Sequence, residues 1–315
     1  MSTAAAVQSA RTSKPAAPSR LWQRIRRNGW GYMFIAPWLI VYAIFGLYPL
    51  VLSFFLTYFN YSFVNPGDQA FVGIGNWVRG IGDPLFWKGV SNIAINQFIF
   101  IALKNGLGLL IAALLFRVRF GGRFFRTVYF LPVITSTVAL MTIGDKLASP
   151  DGPLQALLLN GGLISRPIFW KSDPSLPMIV IALINTWKWF GISVVILLAG
   201  MYGIDQRQYE AAQVDGASSW QLFRFITLPS LRPQLFFLFV VDVINGLQMF
   251  GEVFSLGFDV YGGVNHQALT PVLYLYATAF DQSNIGYAST LGLLLALLIA
   301  GLTFLQFRFV PASEE

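Results

Sequence analysis

The 315 residues are 56% hydrophobic, 16% aromatic and only 11% charged, with a mean hydropathy of +0.62, whereas soluble domains carry about 25% charged residues. A chain this poor in charge cannot wet a globular surface of its size, which excludes a soluble fold and implies an integral membrane protein. With no cysteine and the single histidine His266, disulfides, thiolate metal sites, a cysteine nucleophile and most imidazole chemistry are also excluded.

In chain order, six apolar stretches near 31–59, 91–116, 124–146, 177–202, 233–255 and 285–308 are long enough to cross about 30 Å of hydrocarbon, which takes about 20 helical residues. The runs are continuous and lack the alternation of barrel strands, so the expected fold class is an all-α integral membrane protein with six transmembrane helices. The first run is too long for the core of a signal peptide and is expected to stay as a span. Basic residues are retained on the cytoplasmic face. Arg11, Lys14, Arg20, Arg24, Arg26, Arg27, Arg117, Arg119, Arg123, Arg126, Arg207, Arg224, Arg232 and Arg308 all fall on the side of the amino terminus. The opposite loops hold only Arg79, Lys88, Lys146, Arg166 and Lys171. Both termini are therefore predicted to be cytoplasmic, and the net charge of +7 reflects membrane sidedness and no nucleic-acid partner.

Residues 1–30 are predicted to be a largely disordered cytoplasmic tail, 31–310 the six-span domain with a cytoplasmic loop at 203–232, and 311–315 a short cytoplasmic end. The outer segment 147–176 carries the turn-forming Ser149–Gly152, Asn160–Gly162 and Asp173–Pro177 and is expected to form a small cap.

The loop between the fourth and fifth spans carries the strongest signal. Arg207–Asp215 favours a helix ended at Gly216, a position suited to the left-handed cap. Ser218 is placed to cap a second helix, with Gln221 as its capping-box partner, and Pro229 is expected to stop that helix. Ala211 and Ala212 leave the first helix thin on one side, with the charge of Glu210 beside the bare face. Such a helix-turn-helix on a membrane domain suits the grip of a soluble partner. An interfacial helix lying on the bilayer is the competing reading, since Trp220, Leu222, Phe223 and Phe225 would permit it.

At these residues the chain resembles the membrane subunits of ABC importers, whose loop signature is Glu-Ala-Ala, three residues, Gly, nine residues, Ile, one residue, Leu-Pro. Glu210, Ala211, Ala212, Gly216, Ile226, Leu228 and Pro229 fill every position. Tyr209 before the signature and Asp215 within it resemble the carbohydrate-uptake branch, as do Phe71–Asn76, Phe125–Arg126 with Phe130–Pro132, and Gly286–Ala288. Asp205 stands where the family often has Pro, and Gly262-Gly263-Val264 where it often has Gly-Gly-Pro.

The resemblance implies that residues 207–229 seat in a cleft of a cytoplasmic ATPase subunit, with Glu210 meeting a basic residue there. It implies a second permease subunit, expected to make a heterodimer, an extracytoplasmic solute-binding protein, and a place in the bacterial inner membrane. No Lys in the chain follows a Gly, so the phosphate-cradling Gly-Lys-Ser/Thr motif is absent. No cofactor and no enzymatic activity are expected of this chain, ATP and magnesium being held by the partner ATPase. No catalytic set emerges: Gly80–Asp83 matches a protease motif only by chance, and His266 has no serine-elbow partner.

Ionisable residues inside spans are costly and point to function. Here they are Lys104, Lys188, Asp242 and Glu252. Helical spacing puts Asp242, Asn245, Gln248 and Glu252 on one stripe. Asn185, Trp187, Lys188 and Trp189 lie near the bilayer midplane. Together they form a candidate substrate path for a hydroxyl-rich solute, a carbohydrate or related compound. The bland alternative is that Lys104 or Lys188 simply pairs with Asp242. Gly106, Gly108, Gly191 and Gly200 are expected to allow close helix packing. An ion-coupled secondary transporter using Lys188, Asp242 and Glu252 is the competing function.

Overall fold

The computed structural model describes residues 29–62, 64, 67, 69–116 and 122–309. The expected terminal tails, 1–30 and 311–315, fall outside the described residues except for Gly29 and Trp30. The helices in order are α1 (Trp30–Leu56), α2 (Gly75–Ile81), α3 (Pro84–Phe116), α4 (Gly122–Ile134), α5 (Thr137–Ala148), α6 (Pro153–Asn160), α7 (Leu176–Tyr202), α8 (Gln206–Val214), α9 (Ser219–Ser230), α10 (Arg232–Leu247), α11 (Gly251–Ser255), α12 (Pro271–Tyr276) and α13 (Ile285–Phe309). Between α1 and α2, β1 (Phe59–Asn60) pairs antiparallel with β2 (Ala70–Phe71), Phe59 opposite Phe71.

Four helices, α1, α3, α7 and α13, are each long and apolar enough to cross a membrane. Two more candidates pass only as bent pairs, Thr127–Ile134 with Thr137–Asn160 at 104° and α9 with α10 at 58°. The chain divides into two compact units, Met1–Leu52 and Ser53–Glu315. In the first, Trp38 stacks on Tyr42 with centroids 5.3 Å apart.

In the second unit α3 and α7 run together. Lipid tails are as apolar as leucine, so close packing, not water expulsion, holds such helices. A Cβ on Gly108 would meet Ser193 Cβ at 2.5 Å, and one on Gly191 would meet the Tyr129 carbonyl of α4 at 2.1 Å. Gly200 has Leu231 at 2.7 Å, but Gly106 faces open space and has no such packing role, contrary to expectation. One apolar cluster centres on Phe86, Met141, Ile181, Leu273, Tyr287 and Leu291, and a second on Ala112, Val194, Leu197, Met201 and Leu231.

The structure departs from three expected helix boundaries. The second span begins at Pro84, where 91 was expected, because Asp83 caps it: Leu85 and Phe86 donate their N–H groups to Asp83 Oδ1 at 2.8 and 3.2 Å. The third, expected as one helix over 124–146, breaks at Thr135–Ser136. Pro132 disrupts the ladder there, and Ser136 is extended. The fifth, expected over 233–255, ends as α10 at Leu247, and a tight turn carries the chain through Gln248–Phe250 into α11. Thr270 fixes that turn by donating to the Met249 carbonyl at 2.7 Å.

Candidate functional site

Two features stand out in the second unit, a folded knuckle and a polar cavity. In the knuckle, Asp205 caps α8 by accepting the Arg207 N–H at 2.9 Å. Gly216 turns the chain with φ +82, as the left-handed position requires. Ser218 caps α9: Gln221 N donates to Ser218 Oγ at 3.4 Å, and Ser218 N donates to Gln221 Oε1 at 2.6 Å, closing the capping box. Pro229 does not stop this helix. The chain passes through a π turn at Phe223–Thr227 and continues in helical form through Pro229 to Ser230. The break comes at Leu231, just before Pro233.

The knuckle is tied to itself and to the spans. The buried hydroxyls of Tyr209 and Thr227 share a hydrogen bond of 2.9 Å. The Tyr209 ring lies 6.3 Å from Phe116 at the end of α3, and Phe116 lies 5.4 Å from Tyr202 at the end of α7. Glu210, Ala211, Asp215 and Gly216 are exposed, Ala212 and Ile226 face a shallow groove with Asp215 and Gly216, and Leu228 and Pro229 are half-buried. Val214, Trp220 and Phe225 expose 88%, 68% and 70% of their surface, an apolar rim unusual on a polar loop.

The polar cavity holds about 450 Å³ between α3, α7, α10 and α11. Its wall includes Lys104, Asn185, Trp189, Asp242, Asn245, Gln248 and Glu252. The stripe is not continuous, since Gln248 lies past the end of α10 and Glu252 on α11, yet the turn brings all four polar residues to one space. Trp187 is exposed and is not part of this wall; Lys188 is buried, donates to Thr137 Oγ1 and lies 4.9 Å from the Trp189 ring.

Lys104, and not Lys188, pairs with Asp242. The Nζ–Oδ1 distance is 2.5 Å, with both side chains about 5% exposed. Asn105 donates to the other carboxylate oxygen at 3.0 Å, and Ser193 donates to Asn105 Oδ1 at 2.7 Å. A buried pair is costly unless its polar atoms find partners, and here both Asp242 oxygens do. The bland reading of Lys104 is thus borne out at its Nζ.

Sequence reasoning missed a second buried cluster. Asp83 Oδ2 accepts from the hydroxyls of Tyr274 at 2.7 Å and Tyr287 at 2.5 Å. Arg79 lies 4.0 Å from the Tyr287 ring centroid. Burial pushes the Asp83 carboxyl up, but hydrogen bonds from Tyr287, Tyr274 and two backbone amides outweigh it and hold the group below the usual carboxylate value. Burial and the Asp83 charge push the Tyr274 phenol up. The available signal was Asp before Pro, an acidic cap preceding a first-turn proline.

Residues 104–314 match the family described as binding-protein-dependent transport system inner membrane component. The chain is 35% identical over 284 residues to the lactose transport system permease protein LacF of Rhizobium radiobacter, covering 89% of this chain and 93% of that one. It is 30% identical to the arabinooligosaccharides transport system permease protein AraP of Halalkalibacterium halodurans, over 90% of this chain and 88% of that one. The fold resembles a chain of a bacterial ABC transporter involved in the import of the acidic polysaccharide alginate, with TM-score 0.78 at 22% identity, covering 93% of this chain and all of that one. Sequence, apolar helices and fold agree, and they do not favour an ion-coupled transporter: the chain belongs to the binding-protein-dependent inner membrane components, the multi-pass permease subunits of ABC importers.

Proposed function

We propose that this permease imports a carbohydrate, with residues 203–232 as the docking element for a separate cytoplasmic ATPase and the cavity at Asp242 as part of the solute path. The reading includes six spans with both termini cytoplasmic, the bent pairs each counting as one span. It also includes a second permease subunit, expected as a heterodimer, and an external solute-binding protein. The chain hydrolyses nothing itself; ATP and magnesium belong to the partner ATPase. The observation that carries it is the knuckle: a capped, internally bonded pair of helices that leaves Glu210 and an apolar rim exposed. A helix lying on lipid has no need of that internal hydrogen bond.

Carbohydrate as cargo is supported by relatives named for lactose and arabinooligosaccharides and by a cavity that joins amides and carboxylates to aromatic walls. In this mechanism, closure of the ATPase pair displaces the knuckle, and Tyr209 against Phe116 passes the motion to α3, which carries Lys104 at the cavity. Reconstituted with its partner chains, the Glu210→Lys variant is expected to insert and assemble normally but to lose ATP-driven, vanadate-sensitive lactose uptake, measured with radiolabelled sugar. Wild-type uptake by that variant refutes the docking assignment.

A further inference from the structure

We propose that Glu252 sets the charge selectivity of the cavity, so that it takes donor-rich solutes without negative charge, neutral or amine-bearing glycosides, and turns away uronates and sugar phosphates. The proposal rests on reading the cavity as a solute path.

The charges in and beside the wall balance in number, two lysines against two carboxylates, but not in their access to the cavity. Lys104 and Asp242 form a tight pair and neutralise each other. Lys188, outside the wall, is buried against Thr137 and the Trp189 ring and makes no ion pair among the described residues. Glu252 lines the cavity half-buried, with no hydrogen bond or ion pair among the described residues; it interacts with Lys188 only through its field. The one carboxylate left for an occupant is therefore Glu252.

Hydrogen-bonding capacity points the same way. Asn185 Oδ1 and Gln97 Oε1, on side chains more than nine-tenths buried at the wall, have no partner among the described residues. The orientation of the Gln97 amide is fixed, because its Nε2 donates to Asn96 Oδ1 at 3.2 Å while Asn96 donates to the Met178 carbonyl at 2.8 Å. Two wall donors are already engaged, one N–H of the Lys104 ammonium by Asp242 and the Gln248 amide by the Ile244 carbonyl at 3.2 Å. Unpaired buried acceptors favour an occupant that donates. Hydroxyls and ammonium groups do so; carboxylates and phosphates add only acceptors and a repelled charge.

Because the chain contains no cysteine, Gln248→Cys supplies its single thiol, facing the cavity. In the intact transporter with its partner chains, the modification rate of that thiol is measured by mass spectrometry of this chain. The probes are a trimethylammonium-ethyl and a sulfonato-ethyl methanethiosulfonate, each normalised to its rate with a free thiol. The expected result is a cation preference of about tenfold, lost in Glu252→Gln and reversed in Glu252→Lys. An unchanged ratio across the three backgrounds overturns this proposal while leaving the path intact. Failure of both reagents to react with the folded protein, when the denatured chain reacts, overturns the path reading and this proposal with it.

Discussion

The two buried polar clusters of this permease solve the same problem in opposite ways. Around Asp83 every carboxylate position is filled: two backbone amides on one oxygen and two tyrosine hydroxyls on the other. Around Asp242 each carboxylate oxygen accepts one bond, and the ion pair forms one wall of a space with unpaired acceptors beside it. A closed polar cluster fixes helices to one another, whereas an open one leaves bonding capacity for something else. The first joins α2, α3, α12 and α13 into one framework; the second leaves acceptors open beside a cavity.

Four changes probe this contrast, from the largest expected effect to the smallest. Asp242→Ala strands the Lys104 ammonium in a buried site and is expected to cost about 4 kcal/mol, read as a lowered melting temperature in detergent. Lys104→Met with Asp242→Leu should restore most of that stability without restoring uptake; recovered uptake would show that the pair is only structural. Asp83→Ala removes the acceptor of two buried hydroxyls and should cost about 3 kcal/mol. The folded Asp83 carboxyl sits below its ordinary value, so its contribution is complete above about pH 4 and is lost as pH falls through that lower folded value. An acid melting series on wild type and Asp83→Ala should therefore converge at the acid end, and a constant gap would contradict the closed-cluster picture.

Gly246→Ala places a Cβ 2.0 Å from Gln97 Cδ and is expected to cost about 2 kcal/mol by displacing that amide, again seen in the melt. The smallest structural effect belongs to Gln248→Ala, within about 0.5 kcal/mol because the side chain is exposed. Uptake of the transported sugar is nonetheless expected to fall well below wild type; undiminished transport would remove Gln248 from the path.

Legibility in the sequence followed the range of the interactions. The capping box at Ser218 and Gln221 and the left-handed turn at Gly216 are encoded within a few residues, and the structure reproduces both. Long apolar runs disclosed α1, α3, α7 and α13 for the same reason. Composition alone did not disclose the breaks at Thr135–Ser136 and Gln248–Phe250, because the interruptions are short and apolar residues resume beyond both. The turn at Met249 is held by Thr270, 21 residues away. Asp83 was visible as a residue and its role was not, since its tyrosine partners lie 191 and 204 positions along the chain. At the candidate path, residue types were legible but their assembly was not: a helical wheel put Glu252 on the face of α10, and the cavity receives it from a different helix.

The hydrogen bond between Tyr209 and Thr227 spans 18 residues and ties the first arm of the knuckle to the second. Without it, a load on α8 would be taken up by swivelling at Gly216, like slack in a joint. With it, the two arms behave as a single stiff cam, and whatever grips one of them must carry the other.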